Sequence, residues 1–393
     1  MSLGALLIIT SLFSKPAIAA SASIDALLPN TRDQGSSGDC YAQTASDLET
    51  VYLEHAHKIK DKTEFVSPLA TAVCSKKDSL KADLSDAKVE HELTLSKDKM
   101  DVYLQRLNQL ASELKQSSLS ESSLKSKQNE FSQLCKWTSP GSLHDCRVSH
   151  GLSDALPGES DASESIIAGG DISNAIQNSV QNCGVCLEKD FNSAQDIEFL
   201  TRTEQALDNY AHPDEDGTSS SCASPQFPLD KKGEKTLNTA FKNLLKGKLS
   251  DHPAFAVMKK KCKRKNSLSQ EISRNTLNKD LSQMNASDAS GQISTLLKKG
   301  LPVGIAYNGQ IFQNSNPVDR TANHASTVIG QETRNNELYF VVRNSWGESA
   351  CTQKKAALKV PQFDCDNQGN FIVKASDLMA VTTQATWISE DQK

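Results

Sequence analysis

A short stretch near the N-terminus decides how this chain folds: residues 32–42 read RDQGSSGDCYA. Two glycines, Gly35 and Gly38, flank a loop that ends at Cys40, and apolar residues then recur at three- to four-residue spacing as far as Tyr52. This spacing predicts a helix whose first turn contains Cys40. The N-terminal end of a helix stabilises a thiolate, which is the reactive form of cysteine. The stretch therefore predicts a nucleophilic thiol at Cys40.

The same loop offers a second functional group. Gln34 lies six residues before Cys40, and its side-chain amide can donate a hydrogen bond to a developing oxyanion. The backbone N–H of Cys40, in the first turn of the predicted helix, can supply the other donor. We therefore expect Gln34 and the Cys40 backbone to form an oxyanion site.

A thiolate needs a proton acceptor, and His324 has the best setting of the eight histidines because it begins an apolar stretch typical of a strand. Asn344 follows the next predicted strand. An imidazole that pairs with a thiolate is oriented by a third group, and Asn344 is the candidate. Trp346 can shield the expected hydrogen bond between His324 and Asn344 from water.

These residues resemble the active-site motifs of the papain family of cysteine peptidases. Residues 34–42 resemble its cysteine loop, residues 324–329 its histidine strand, and residues 344–347, NSWG, its asparagine motif. Two weaker resemblances fall in the correct order: Gly169-Gly170 with the helix after it resembles the double-glycine segment, and residues 301–306 resemble the strand before the histidine.

The resemblance implies an α+β, papain-like, two-lobed fold. A helical lobe carries the nucleophile, and an antiparallel β-barrel-like lobe carries His324 and Asn344. It further implies hydrolysis of a peptide or protein substrate through a thioester, with substrate contacts at Gly169, Gly170 and Trp346 and with no metal or organic cofactor. Two alternatives stay open: a catalytically degenerate scaffold that acts as a binding protein, and a transpeptidase or amidase that uses the same acyl-enzyme.

The sequence departs from the family pattern near the cysteine. Ser37 and Ile167 stand where the family usually has two bonded cysteines, so one family disulfide is expected to be absent. Tyr41 replaces the usual tryptophan, and Asp39 replaces the usual serine. An acidic group at Asp39 would raise the pKa of the neighbouring thiol.

The rest of the chain divides by composition. The expected organisation is a signal peptide at 1–20, a helical lobe at 24–75 and 166–190, a helical insertion at 76–165, a polar, irregular insertion and lobe connection at 191–290, and a β-rich lobe at 291–393. Apolar residues from Met100 to Leu114 follow a 3, 4, 3, 4 spacing and predict one half of an inserted helical hairpin. No inhibitory propeptide is expected between the signal peptide and the cysteine loop.

The charge of the chain, −5 at neutral pH, gives no reason to expect a nucleic-acid partner. One basic run stands out: Lys259, Lys260, Lys261, Lys263, Arg264 and Lys265. Such a run is usually a solvated loop, and the alternative is contact with an anionic surface such as a lipid or a cell-wall polymer.

The first twenty residues and the ten cysteines predict a secreted or periplasmic protein. Most cysteines should then pair, and with Cys40 as a thiol the remaining odd number implies one more thiol or an intermolecular bond. Cys351 and Cys365 are expected to form a disulfide that closes the segment between them. Cys183 and Cys186 form a CxxC motif, for which disulfides to other cysteines are favoured over a metal site.

Overall fold

The structure is a computed structural model, and it describes residues 24–34, 38–59, 64–81, 97–115, 123, 127–128, 130–131, 167–191, 203, 239, 252–262, 267–313, 319–358 and 361–389. Side chains of the first long helix of the insertion are described from residue 105. Several predictions lie outside these residues: the signal peptide at 1–20, the positions of Cys135, Cys146 and Cys222, and the basic residues Lys263, Arg264 and Lys265.

The chain forms two compact units. The first, called here the β-rich unit, comprises Met1–Asp33, Asp47–Phe65 and Asn275–Lys393. The second, the helical unit, comprises Gln34–Ser46 and Val66–Arg274. Helices and one antiparallel sheet together confirm the predicted α+β class.

The helices and strands are bounded as follows: α1 Cys40–His55, α2 Pro68–Ser75, α3 Lys97–Leu114, α4 Ile172–Asn182, α5 Pro253–Lys261, α6 Ser267–Asn275, β1 Thr276–Asp280, α7 Ala286–Lys298, β2 Val303–Tyr307, β3 His324–Arg334, β4 Glu337–Arg343, α8 Ala350–Ala357, β5 Phe363–Cys365, β6 Phe371–Lys374, α9 Ala375–Ala380 and β7 Thr382–Ile388. A 3₁₀ turn, Gly309–Phe312, follows β2.

The helical unit is built around α2 and α4, which pack against each other. Helix α2 begins where Ser67 accepts a hydrogen bond from the Ala70 N–H, with proline at the first helical position, as helix starts prefer. Two disulfides, Cys74–Cys183 and Cys186–Cys262, tie the ends of α2, α4 and α5 together. These covalent links hold together three short helices of 8, 11 and 9 residues.

Helix α3 confirms the helix that the apolar spacing predicted. Leu107 and Leu110 are fully buried, as is Phe131 from the segment after the helix. Arg106 donates two hydrogen bonds, of 2.8 and 2.9 Å, to the carboxylate of Glu130. The helix therefore contacts a following segment, while most of the insertion at 76–165 lies outside the described residues.

The β-rich unit contains a seven-stranded antiparallel sheet in the order β1-β7-β2-β3-β4-β6-β5. The sheet is not closed, so the barrel-like shape that the resemblance implied is replaced by an open sheet with edges at β1 and β5. The apolar runs predicted as strands at residues 301–306, from His324 onward and before Asn344 form β2, β3 and β4. Helices α7 and α9 pack against each other and cover the apolar core at the sheet.

The prediction of an irregular chain up to residue 290 was wrong for its last third. Helices α5 and α6, strand β1 and the start of α7 lie between residues 253 and 290. Strand β1 reads TLNKD and buries Thr276 alone, because it is an edge strand paired only with β7. An edge strand held by backbone hydrogen bonds shows no apolar alternation, so the sequence pattern does not reveal it.

Helix α5 starts at a buried histidine. The side chain of His252 is 1% exposed, and its Nδ1 accepts a hydrogen bond of 3.2 Å from the Ala254 N–H. Burial lowers the pKa of His252 from 6.5 to about 4. The folded protein therefore keeps this ring neutral at a pH where the unfolded chain protonates it.

We expect this difference in pKa to make the protein less stable in acid. Between pH 6.5 and about 4 the unfolded state takes up a proton at His252 that the folded state does not, so stability falls as the pH falls, by up to about 3 kcal/mol for this group. Urea unfolding at pH 7.5 and 4.5 measures the loss. In His252→Asn, which keeps a capping acceptor without a titrating ring, the loss should be smaller. An equal loss in both proteins would contradict the assignment.

Candidate active site

The site begins with a hydrogen bond between two buried side chains. The Nε2 atom of His324, at the start of β3, lies 2.9 Å from Oδ1 of Asn344, which directly follows β4. An amide oxygen only accepts hydrogen bonds, so Nε2 carries the proton. In the neutral ring the basic lone pair is therefore on Nδ1. Antiparallel pairing of β3 with β4 brings the two residues together although 20 positions separate them.

Aromatic groups enclose the His324 ring. Trp346 stacks on it with centroids 4.4 Å apart and planes inclined by 23°, and Tyr307 meets it edge-on at 5.6 Å. Gly309 completes the enclosure, since a Cβ at that position would lie 2.9 Å from Cβ of His324. Burial lowers the pKa of His324 to about 4, the hydrogen bond that the ring donates to Asn344 acts in the opposite direction, and the positive charge of Lys354 lowers the pKa further.

The loop that leads into His324 is held by side chain to backbone hydrogen bonds. Oδ1 of Asn323 accepts from the Gly309 N–H at 2.8 Å. The guanidinium of Arg320 donates to backbone carbonyls of Leu281, Ser282, Met284, Met379 and Ala380. The hydrogen bonds of Asn323 and Arg320 therefore hold the chain in place just before His324.

A buried carboxylate joins three of the segments that carry candidate residues. Asp47 accepts hydrogen bonds from Nε of Arg343 at 3.1 Å and from Oγ1 of Thr327 at 3.3 Å, and it pairs with Nη1 of Arg32 at 3.1 Å. Arg343 precedes Asn344, Thr327 follows His324 by three positions on β3, and Arg32 lies just before the cysteine loop. We call these four residues the Asp47 network; the sequence analysis missed it.

The N-terminal segment also binds the asparagine motif through its backbone. Asp33 and Trp346 form an antiparallel bridge, and the Gly347 N–H donates to the carbonyl of Arg32 at 2.9 Å. Gly347 has φ +86°, and a Cβ there would lie 3.3 Å from the Asp33 carboxylate. The backbone conformation therefore favours glycine at this position of the NSWG motif, and a side chain there would also crowd Asp33.

In the helical unit, α1 begins at Cys40 as predicted, and Cys40 is a partly exposed thiol without a disulfide. The carbonyl of Asp39 accepts from the backbone N–H groups of Ala42 and Gln43, at 2.8 and 3.0 Å. The Asp39 carboxylate is buried and accepts from the Gln43 side chain at 3.1 Å. The carboxylate of Asp39, which was expected to raise the pKa of the Cys40 thiol, is thus hydrogen-bonded to Gln43 of α1.

The cysteine loop and the double glycine lie side by side in this unit. The Gly169 N–H donates to the Gly38 carbonyl at 3.1 Å, and a Cβ on Gly38, whose φ is +67°, would lie 2.9 Å from Cβ of Ala168. Gly170 lies against the ring of Tyr41 so closely that a Cβ would come within 2.7 Å of it. Gly169 and Gly170 are both exposed.

The Tyr41 hydroxyl donates a hydrogen bond of 2.8 Å to the carbonyl of Ile167. Ile167 stands at one of the two positions where the resemblance implies a bonded cysteine. Lys76 reinforces the contact, since its ammonium lies 5.5 Å from the centre of the Tyr41 ring and donates to the Ala168 carbonyl at 3.0 Å. A buried hydrogen bond therefore joins the start of α1 to the double-glycine segment, a role that the sequence analysis did not foresee for Tyr41.

The disulfide predictions that fall on described residues are confirmed. Cys351 pairs with Cys365, and the two cysteines of the CxxC motif bond to Cys74 and Cys262 rather than to a metal. In the part of the chain that the structure describes, no group of three or more His, Cys, Asp or Glu side chains could hold a metal ion.

The predicted site residues fall in both units. His324, Asn344 and Trp346 are in contact within the β-rich unit. Cys40, Gly169, Gly170 and Gln34 belong to the helical unit, where Gln34 is partly exposed.

Comparison with known proteins gives a family match. The family model described as papain family cysteine protease matches residues 167–354, a range that contains Gly169, Gly170, His324 and Asn344 and that begins after Cys40. No curated protein matches the chain. The match, over somewhat less than half of the chain, and the α+β fold together support the resemblance to the papain-like cysteine peptidase family. The family supports a cysteine peptidase-type function in general.

Two findings bear on location. Among the residues described, none of the helices is both long enough and apolar enough to cross a membrane. The three disulfides in the same part of the chain are compatible with an extracellular protein.

Proposed function

We propose that the protein hydrolyses peptide bonds through a thioester formed on Cys40. The observation that carries the proposal is the hydrogen bond between His324 Nε2 and Asn344 Oδ1, because it leaves Nδ1 as the basic atom of the ring. In the proposed reaction Nδ1 takes the proton of the Cys40 thiol, and the thiolate attacks the carbonyl carbon of the substrate. The protonated ring then donates to the leaving amine, and water hydrolyses the thioester.

The setting of His324 favours this cycle. A ring that is stacked on Trp346, hydrogen-bonded to Asn344 and backed by Gly309 cannot turn freely, so Nδ1 keeps one direction through both proton transfers. Burial disfavours an isolated imidazolium. A neighbouring thiolate would offset that cost, so the two groups would titrate as a pair.

The start of α1 supports Cys40 as the nucleophile. As the first residue of a 16-residue helix, its side chain lies at the positive end of the helix dipole. This favours the thiolate. The backbone N–H of the same residue and the side-chain amide of Gln34 are the proposed donors to the oxyanion.

Replacing Gln34 by alanine is expected to lower kcat by roughly 10²–10³-fold, the usual cost of one oxyanion donor. Gln34→Glu, which keeps the size of the side chain but removes its N–H donors, should be impaired as well. Steady-state kinetics on one fluorogenic peptide amide measures both variants. If kcat stays at the wild-type value in Gln34→Ala, the oxyanion role is wrong.

The exposed double glycine is the proposed edge for substrate. Gly169 and Gly170 have no side chains to obstruct an extended peptide, and the hydrogen bond between Gly169 and Gly38 holds this edge beside the cysteine loop. A peptide lying along the edge would present its backbone to the residues that precede Cys40. The exposed part of Trp346 is the second proposed substrate contact.

A thiol-reactive epoxide separates the enzyme from a non-catalytic binding protein on the same scaffold. The enzyme should be labelled at Cys40 when folded and not after unfolding in urea at the same pH, because activation of the thiol depends on α1 and His324. A peptide-library digest with wild type and Cys40→Ala then identifies cleavage. Transfer of the acyl group to an added amine, seen in the products, would indicate a transpeptidase or amidase instead.

We further propose that the protein is exported and that its basic run contacts an anionic surface. Lys259, Lys260 and Lys261 occupy the last turn of α5, where positive charge also stabilises the helix dipole. Salt-sensitive binding to vesicles containing anionic lipid, lost when these three lysines become glutamine, would support a surface contact. If the variant bound these vesicles as well as wild type, the three lysines would have no role in surface contact and would only stabilise the helix dipole.

A further inference from the structure

A positive charge lies beside the catalytic candidates, and the proposed reaction gives it no role. The ammonium nitrogen of Lys354 is 4.2 Å from the centre of the Trp346 ring, which itself stacks on His324. Cations bind aromatic faces favourably, and tryptophan binds them best. Lys354 is half-buried, so it is held at the edge of the site instead of extending into solvent.

The helix that carries Lys354 is fixed in place. Helix α8 begins six residues after Asn344, and the fully buried Cys351 ties it to Cys365 on β5. Lys354 follows Cys351 by three positions, so both side chains lie on the same side of the helix. The disulfide thereby holds the face of α8 that presents Lys354 to Trp346.

The two neighbouring lysines of α8 differ in their partners. Lys355 pairs with the carboxylate of Asp364 at 2.7 Å. Lys354 has no carboxylate within salt-bridge distance among the residues that the structure describes. A half-buried ammonium on an aromatic ring, with no carboxylate partner in the described part of the chain, is available to an anion from outside.

This charge is costly if nothing neutralises it. The positive charge of Lys354 disfavours the protonated form of His324. In the proposed reaction that protonated ring is the group that donates to the leaving amine. A substrate carboxylate bound to Lys354 would cancel this effect at the moment when the ring must hold its proton. The charge arrangement is therefore better suited to an acidic substrate than to a neutral one.

We propose that Lys354 determines specificity by binding a carboxylate on the leaving side of the peptide substrate. The proposal rests on the proposed function, because it is the donation from His324 to the leaving amine that places the residues after the scissile bond beside His324 and Trp346. The first or second of these residues would reach Lys354. The carboxylate is either an Asp or Glu side chain or the C-terminus of a substrate that ends there.

Internally quenched peptides test the proposal. One pair carries Glu or Gln at the first or second position after the cleaved bond, with an amidated C-terminus. A second pair ends two residues after that bond as a free acid or as an amide. We expect wild type to cleave the carboxylate member of at least one pair about three- to tenfold faster in kcat/KM, as for a partly exposed, charge-assisted contact. The pair that shows the preference identifies the source of the carboxylate.

Three variants identify the residue responsible. Lys354→Met should abolish the preference, and Lys354→Glu should reverse it, so that the Gln or amide member of the pair is cleaved faster. Lys355→Met, which removes the same charge from the adjacent position, should keep the wild-type ratio. Comparing ratios within each variant cancels any general loss of activity. A preference that persists in Lys354→Met, or that is absent in wild type, would overturn the proposal.

Binding to an inactive variant separates this proposal from the proposed function. Calorimetry with Cys40→Ser and the same acidic and neutral peptides measures the contribution of Lys354 without turnover. Tighter binding of the acidic peptide, lost on adding Lys354→Met, would support the carboxylate contact even if no cleavage were found in wild type. Equal binding of both peptides would overturn it independently of catalysis.

Discussion

Replacing Cys40 or His324 by alanine is expected to reduce peptide hydrolysis to background, a loss of about 10⁴–10⁶-fold in kcat/KM. The first change removes the nucleophile, and the second removes the base whose Nδ1 takes the thiol proton. Because the two residues act as one unit, the double variant should be no worse than either single variant. Full activity in Cys40→Ala would refute the proposed function.

Asn344→Ala should be less severe, since the amide orients the imidazole without exchanging protons with substrate. Residual turnover above that of His324→Ala is therefore expected. A matched control is His57→Asn: His57 is exposed at φ +52°, a conformation that asparagine tolerates, and it should retain wild-type activity. If Asn344→Ala and His324→Ala were equally inactive while both stayed folded, asparagine would have a larger role than orientation.

The second large effect is expected at the Asp47 network. Asp47→Ala removes the carboxylate that pairs with the buried side chain of Arg343 and the partly buried side chain of Arg32. Arg343 then keeps the longer contact of 3.9 Å with the Asp25 carboxylate. A buried charge that loses its partner typically costs 3–5 kcal/mol, so we expect a loss of about that size in the free energy of unfolding. Urea unfolding measures it. Asp78→Asn, a change at an exposed carboxylate, should stay within about 0.5 kcal/mol of wild type.

A compensating double variant tests the cause of that loss. Replacing Arg343 by methionine in the Asp47→Ala background removes a buried charge that has lost its nearest carboxylate, so part of the lost stability should return. If the double variant were as unstable as the sum of the two single changes, the residues would not be coupled. A loss below about 1 kcal/mol in Asp47→Ala would show that the network contributes little.

The parts of this fold that the sequence predicts are those with a local signal. The glycine loop before an amphipathic helix indicates that α1 starts at Cys40, and the apolar runs around His324 and before Asn344 indicate β3 and β4. Once two adjacent strands are recognised, antiparallel pairing is enough to expect that His324 and Asn344 meet.

The parts that the sequence does not predict depend on contacts between distant residues. Asp47 and Arg343 are 296 positions apart, and nothing near Asp47 distinguishes it from an exposed acid on a helix. The only hint is an arginine at the end of the apolar strand β4. The position of Lys354 on Trp346 likewise depends on how α8 packs after the NSWG motif, and the open sheet depends on edge strands with little apolar content.

The disulfides of the helical unit have a consequence for the integrity of the chain. Cys74–Cys183 and Cys186–Cys262 each enclose a long stretch of sequence, so a backbone cut at any point between the paired residues would leave the two fragments covalently joined. A peptidase encounters copies of itself at high local concentration wherever it accumulates. A nicked molecule would run as one band on a gel without reductant and as two bands with it, and the fragments would stay attached while the units remained folded.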